Sequence, residues 1–323
     1  MSDPTPTPRL AVAGAGAFGR NHLRVIRDSS RATLAAVFDT DPARAEAAAQ
    51  EFGCTAARSL DELASLADAA IVAVPTTAHH PVAAHLLEAG LDVLVEKPIT
   101  VTTEEARDLC SIAARRARIL QVGHLERFNP AVLAMRQVLT RPLFFEIHRL
   151  SVFTPRSLDV DVVADLMIHD LDILLSITGT MPEEVRAAGI PILSRKADIA
   201  SVRLAFPGGV VANLTASRAS TERVRKLRLF QPGQYVSVDY ARQDCVAIGV
   251  DENRQVKVQP VPVEKREPLA VQFDAFLDSI STRQTPAVDG IAAARALEAA
   301  RLILDKIEEH TALVARTLAG GAL

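Results

Sequence analysis

The sequence has no tryptophan, only two tyrosines and only three cysteines among its 323 residues. So few aromatics argue against an RNA-binding surface of stacked ring platforms. Positive charge is not in excess either: 36 Lys and Arg face 39 Asp and Glu, a net charge of −3 that offers no bulk attraction to a nucleic-acid backbone. Cys54, Cys110 and Cys245 are odd in number and scattered, which suits neither a disulfide framework nor a C-x-x-C zinc site, so reduced, buried thiols in a cytoplasmic protein are expected. No apolar run reaches the ~18 residues that span a bilayer, so no membrane partner is expected. The stretch 1–8 is polar and proline-rich, unlike a secretory signal, and reads as a flexible tail. What is present is ample apolar content, 49% of residues, on a chain long enough for two domains.

Short apolar runs at 9–13, 33–38, 69–74, 92–95 and 118–122 read as strands, with helices between them at 20–28, 43–52, 80–90 and 103–116. Asp41 is the expected N-cap of the second helix and Pro42 its first residue. Continuous apolar strands alternating with helices indicate a parallel, doubly wound sheet covered on both faces. The rhythm changes near residue 123. A helix at 130–139, a strand at 143–153 and a helix at 162–177 precede β-like runs at 184–190, 199–205, 210–218, 225–231, 235–239 and 246–250. Pro207-Gly208-Gly209 and Pro232-Gly233 punctuate them, and helices at 268–281 and 292–310 follow. Strands in series indicate an α+β domain with an open, mostly antiparallel sheet.

Gly14-x-Gly16-x-x-Gly19 follows the first strand and opens the first helix. That context makes it the dinucleotide-binding fingerprint of a Rossmann domain. Gly14 permits the tight turn, Gly16 lets a pyrophosphate approach the backbone, and Gly19 allows close helix–strand packing. Ala17 and Phe18 lie at the helix N-terminus, whose unpaired N–H groups and dipole favour phosphate. Asp39, 20 residues past Gly19, is placed to accept from the adenosine ribose hydroxyls and to repel a 2′-phosphate. Thr40-Asp41-Pro42 offers no neighbouring arginine, so NAD is expected over NADP. The alternative is that Asp39 merely caps the next helix. The α/β fold class thus reads as an NAD-binding Rossmann domain over 9–122, an α+β domain over 123–315 and a tail over 316–323.

Glu96-Lys97-Pro98 ends a parallel strand, at the edge where open α/β sheets bind ligands. Lys97 there can take part in proton transfer, and a cis Lys97–Pro98 bond is one way to aim it. An ordinary surface ion pair is the alternative. Together, Gly14 to Gly19, Val74-Pro75-Thr76-Thr77-Ala78-His79 and Glu96-Lys97-Pro98 resemble the glucose–fructose oxidoreductase / inositol dehydrogenase / MocA family, and the similarity covers nearly the whole chain. The resemblance implies NAD(P)-dependent oxidation or reduction of a sugar or cyclitol carbon. It also implies a homo-oligomer, dimer or tetramer, built on the open sheet of the second domain, which binds the substrate. Lys97 becomes the catalytic lysine, with Glu96, Pro75, Thr76 and His79 along the cofactor.

In the second half, Asp165-x-x-x-His169-x-x-Asp172 puts three polar groups on one helix face with Ile168 beside them. A carboxylate that orients an imidazole suits proton shuttling. A solvated face is the plain alternative, and a metal site is not expected. Asp165 and His169 match the resembled family's second signature. That family commonly has Gly where Met167 stands, so a narrowed pocket is expected. Lys97 and His169 are then the two candidates for handling the proton, with Lys97 as polariser and His169 as base, and Asp165 supporting them.

Arg127, Arg156 and the run Arg223-Val224-Arg225-Lys226-Leu227-Arg228 add positive charge about the expected substrate site. A diphosphate rewards such charge through bidentate bonds, whereas a solvated basic strand is the alternative. Stretches 122–130 and 159–172 resemble a subgroup acting on UDP-N-acetylglucosamine, which oxidises the sugar's 3-hydroxyl before a transaminase makes a 3-amino sugar for lipid A. An inositol or free-sugar dehydrogenase and a non-catalytic NAD-binding regulator are the competing readings. The joint presence of Lys97, Asp165 and His169 argues against the regulator.

Overall fold

The computed structural model describes residues 7–154, 160–251 and 253–319. They divide into two compact units: residues up to 125 with 267–294, and residues 126–266 with 295 onward.

The first unit is built on six parallel strands: β1 (Arg9–Ala13), β2 (Thr33–Phe38), β3 (Thr55–Ala56), β4 (Ala69–Val72), β5 (Asp92–Glu96) and β6 (Leu120–Gly123). Their order, β3-β2-β1-β4-β5-β6, switches direction between β1 and β4, where Rossmann sheets open their ligand crevice. β4 and β5 are buried throughout and β1 is buried after Arg9, which is why they read as unbroken apolar runs. The helices are α1 (Ala17–Asp28), α2 (Pro42–Phe52), α3 (Leu60–Leu66), α4 (His79–Glu88) and α5 (Thr103–Arg116). Asp41 caps α2 as expected, accepting from Ala43 N at 3.1 Å and Arg44 N at 3.4 Å. β3 and α3 were not expected, being too short for their periodicity to show.

The division of the chain differs from the expected boundary after residue 122. Residues 267–294 follow the second sheet in sequence but belong to the first unit. The reason is the apolar stripe of α8 (Pro268–Thr282): Leu269, Phe273, Phe276 and Leu277 share a core with Leu10, Ile26 and Ile71. Polar ties reinforce it. Gln121 Nε2 donates to Gln272 O at 3.1 Å, Arg31 pairs with Asp278 at 2.5 Å, and Arg283 pairs with Asp92 at 2.6 Å.

The second unit carries α6 (Pro130–Gln137), α7 (Ile168–Thr178) and eight strands: β7 (Phe144–Val152), β8 (Glu184–Ile190), β9 (Ile199–Ala205), β10 (Val211–Ser220), β11 (Val224–Gln231), β12 (Gln234–Asp239), β13 (Asp244–Val250) and β14 (Val256–Val261). The sheet runs β14-β13-β12-β11-β7-β10-β9-β8, with β7 and β10 parallel and every other neighbour antiparallel. β14 was not expected; it is a short run, interrupted by Pro260 and exposed along nearly its whole length. One face of the sheet buries Phe145, Ile147, Leu227, Leu229, Val236 and Val238 against Leu171 and Leu174 of α7. Ala296, Ala299, Ala300, Ile303 and Ile307 of α9 (Gly290–Ala319) join the same core.

Strand alternation also drives a charge into that core. Arg149 follows Phe145 and Ile147 on the inner face of β7 and is 2% exposed. Its guanidinium meets Asp170 through two bonds of 2.7 Å and Glu126 at 2.9 Å, and lies 5.1 Å from the Tyr240 ring centroid. Burial disfavours the Glu126 charge, yet Arg149, Arg225 and Asn129 hold its carboxyl below the ordinary range. Removing one partner strands the other in the core. Asp170→Ala is therefore expected to lower unfolding free energy by about 3–5 kcal/mol in urea denaturation; a loss below about 1 kcal/mol would contradict that role.

Candidate active site

Because β1, β2, β4 and β5 are parallel, their carboxyl ends share one edge, and the expected cofactor residues gather there. Gly14 turns out of β1 with φ +101°, its N–H bonded to Phe38 O at 2.7 Å. A Cβ on Gly14 would meet Ala73 O at 2.4 Å, and one on Gly19 would meet Gly14 O at 1.8 Å. Both positions require glycine. Gly16 differs, since nothing lies within 4 Å of where its Cβ would be. It sits at the N-cap of α1 without a side-chain cap, so the first N–H groups of that helix, at Ala17, Phe18 and Gly19, lack a capping side chain. An open cradle over an uncapped helix N-terminus fits a pyrophosphate. Phe18 beside it is exposed.

Asp39 is buried at the end of β2, with Oδ2 accepting from Ala15 N at 2.8 Å and Oδ1 from Asp41 N at 3.0 Å. It therefore braces the glycine turn as well as carrying charge. An arginine does neighbour it: Arg44 Nη1 lies 3.4 Å from Asp39 Oδ1. Reading only Thr40-Asp41-Pro42 missed it, because the first turn of α2 brings the third helical residue back over the strand end.

Pro75 leads into a 3₁₀ turn, Thr76–Ala78, and then into α4. His79, expected along the cofactor, is instead 1% exposed. Its ring nitrogens meet Val74 O at 3.0 Å and Pro98 O at 2.8 Å, and burial holds the imidazole below its ordinary value despite those bonds. Glu96 is also buried. Its Oε1 meets His22 Nε2 at 2.7 Å and its Oε2 accepts from Lys97 N at 3.2 Å. Burial opposes its ionisation, but the His22 hydrogen bond and the charges of His22 and Lys97 keep the carboxyl below the ordinary range. Lys97–Pro98 is a cis peptide.

In the second unit, a single π turn (Val163–Met167) precedes α7. Asp161 starts it, its Oδ1 accepting from Val163 N at 2.9 Å and Ala164 N at 2.8 Å. Such turns recur at functional sites. Asp165 and His169 are half-buried at this turn. Asp172, expected with them, is buried and takes Arg127 instead, through Nε–Oδ2 at 2.8 Å and Nη2–Oδ1 at 2.6 Å. Arg127, expected to bind substrate, is thereby committed to a buried ion pair. Met167, expected to narrow a pocket, has its side chain in the core of the second unit. The basic strand is also partly neutralised: Arg225 faces Glu126 at 3.4 Å, and Arg228 faces Glu146 at 3.0 Å on the other side of the sheet. Arg156 lies outside the described residues. Sequence reasoning passed over Arg149, Glu126, Asp170, Tyr240 and His22. Arg149 had a signal, an arginine in phase with Phe145 and Ile147.

Two family models match successive parts of the chain. Residues 8–124 match the model of an oxidoreductase family with an NAD-binding Rossmann fold, and residues 136–231 match the GFO/IDH/MocA C-terminal domain. The chain belongs to the GFO/IDH/MocA oxidoreductase family, and it is an NAD-dependent oxidoreductase. It is 38% identical to the UDP-N-acetylglucosamine 3-dehydrogenase of Acidithiobacillus ferrooxidans over 309 residues, 93% of this chain and 97% of that one. A solved structure of that enzyme superposes with a TM-score of 0.90, covering 95% of this chain and 99% of that one at 38% identity. The inositol 2-dehydrogenase of Rhizobium meliloti is 28% identical over 232 residues, 67% of this chain and 70% of that one.

The pairing of Asp39 with Arg44 makes a prediction about cofactor choice. Asp39→Asn keeps an acceptor for Ala15 N but removes the charge that occupies Arg44 and that would repel a 2′-phosphate. It is expected to raise kcat/KM for NADP relative to NAD by about 10–100-fold, the worth of one charge-assisted bond. Adding Arg44→Ala should reverse the gain; an unchanged ratio in Asp39→Asn would contradict the argument.

Proposed function

We propose that this chain oxidises the 3-hydroxyl of UDP-N-acetylglucosamine with NAD as hydride acceptor. The reading is carried by the 38% identity that runs through both units to a relative of that name. It is supported by the presence, in the units so matched, of Lys97 on a held turn and of Asp165 with His169 at a π turn.

Gly14, Gly16, Ala17, Phe18 and Gly19 would hold the pyrophosphate of NAD, Asp39 the adenosine ribose, and Pro75, Thr76 and Glu96 the segment toward the nicotinamide. When bound, NAD accepts a hydride from the reacting carbon. The protein's part is the proton. A secondary alcohol keeps its proton at neutral pH, so a base must take it as the carbon gives up hydride. In this proposal the His169 imidazole accepts that proton, oriented by Asp165. Lys97 is assigned the stabilisation of the negative charge that develops as the proton leaves. Arg156 is assigned to the diphosphate, while Arg127 is not, being spent on Asp172. The 3-keto product suits a following transamination that would yield a 3-amino sugar for lipid A. We place the reaction in the cytoplasm, consistent with three unbridged cysteines, and assign the working form as a homo-oligomer. Among the described residues no helix is long and apolar enough to cross a membrane.

UDP-N-acetylglucosamine, UDP-glucose and myo-inositol, each mixed with NAD while reduced cofactor is followed by absorbance, separate the readings. Only the first should give efficient turnover. Preference for myo-inositol would overturn the substrate, and NAD binding without turnover on any sugar would favour a regulator. Lys97→Ala and His169→Ala should each lower kcat by about 10²–10⁴-fold with NAD affinity kept. Near-normal turnover in either variant removes its assigned role.

A further inference from the structure

The turn that carries Lys97 is gripped on both flanks by buried histidines. On one side His22 Nε2 lies 2.7 Å from Glu96 Oε1, and the other oxygen of that carboxylate accepts from Lys97 N at 3.2 Å. A carboxylate can only accept, so Nε2 is the protonated nitrogen of His22. On the other side His79 Nδ1 lies 2.8 Å from Pro98 O and Nε2 3.0 Å from Val74 O; both acceptors are carbonyls, so the neutral ring donates to one of them, and the shorter contact is to Pro98 O. Both rings are 1% exposed, so neither faces solvent or a ligand. The carboxylate fits there because residue 123 is glycine: a Cβ on Gly123 would lie 2.9 Å from Glu96 Oε2.

The origins of the two histidines matter as much as the bonds. His22 projects from α1, the helix opened by the glycine turn, and His79 begins α4 directly after the Pro75–Thr76 turn. Each therefore fastens the lysine-bearing turn to a separate segment of the cofactor edge. We infer that His22 and His79 are positioning residues, which set where Lys97 stands relative to the bound dinucleotide without touching it themselves. The inference rests on the reading of Lys97 as the polarising group. A displacement of about 1 Å at a reacting group costs on the order of 10²-fold in rate, so loosening either flank should be visible in turnover.

The test uses the full chain with UDP-N-acetylglucosamine and NAD. His22→Leu and His79→Leu remove the donors, whereas His22→Gln and His79→Gln keep one N–H. The leucine variants are expected to lose about 10²-fold in kcat with KM for NAD changed less than about threefold, and the glutamine variants to recover most of the loss. In a Lys97→Ala background, His79→Leu should cost no further turnover, because it acts through the lysine. Amide hydrogen exchange adds a readout independent of substrate: residues 96–101 should exchange faster in the leucine variants while the glycine turn stays protected. Should a leucine variant fail to fold, the other histidine's pair and both glutamine variants decide by the same measures. Unchanged kcat and exchange, or kcat and NAD affinity falling together, would overturn the inference. Normal turnover in Lys97→Ala would instead remove the reading of Lys97 on which it rests.

Discussion

A carboxylate buried at the end of a parallel strand persists as an anion only where donors meet it, and much of the first unit is arranged around that requirement at Glu96. His22 and the Lys97 amide supply the donors, and Gly123 supplies the space. Since the charge is satisfied by the backbone of the next residue, the position of Lys97 is inherited from the way Glu96 is neutralised. The same carboxyl edge holds the glycine turn, where Asp39 plays a parallel part by accepting from Ala15 N. Two buried acids thus brace two loops at the same edge of the sheet.

The second unit sorts its acids by a comparable rule. Within the π turn and α7, Asp170 and Asp172 point into the core and are met by Arg149 and Arg127, while Asp165 and His169 stay half-buried. Internal ion pairs are costly to desolvate and contribute little net stability over an apolar core. The inward acids are thereby taken up within the core, whereas Asp165 and His169 are left half-buried. The basic residues nearby look available for a diphosphate in the sequence, yet Arg127 and Arg225 largely serve this internal purpose.

Legibility in the sequence followed the strictness of the chemistry. The glycine turn, Asp39, Glu96-Lys97-Pro98 and the helix with Asp165 and His169 each need particular residue types at fixed spacing, and the α/β order followed from periods of two and 3.6. Features that depend on tertiary return did not show. Residues 267–294 double back to the first unit because their apolar stripe matches a core formed two hundred residues earlier, which no local pattern records. Arg44 reaches Asp39 only through the first turn of α2. Asp172 shares a nominal face with His169, yet it is buried against Arg127, and Met167 lies in the core. The role of a charged side chain depended on its partner, and partners are set by the fold.

The central claim concerns which bond breaks. UDP-N-acetylglucosamine carrying deuterium at C3 of the sugar, incubated with the protein and NAD, tests it most directly. The account predicts that the label appears on the nicotinamide ring of the reduced cofactor and is lost from the sugar. Label retained on C3 while reduced cofactor accumulates would contradict it.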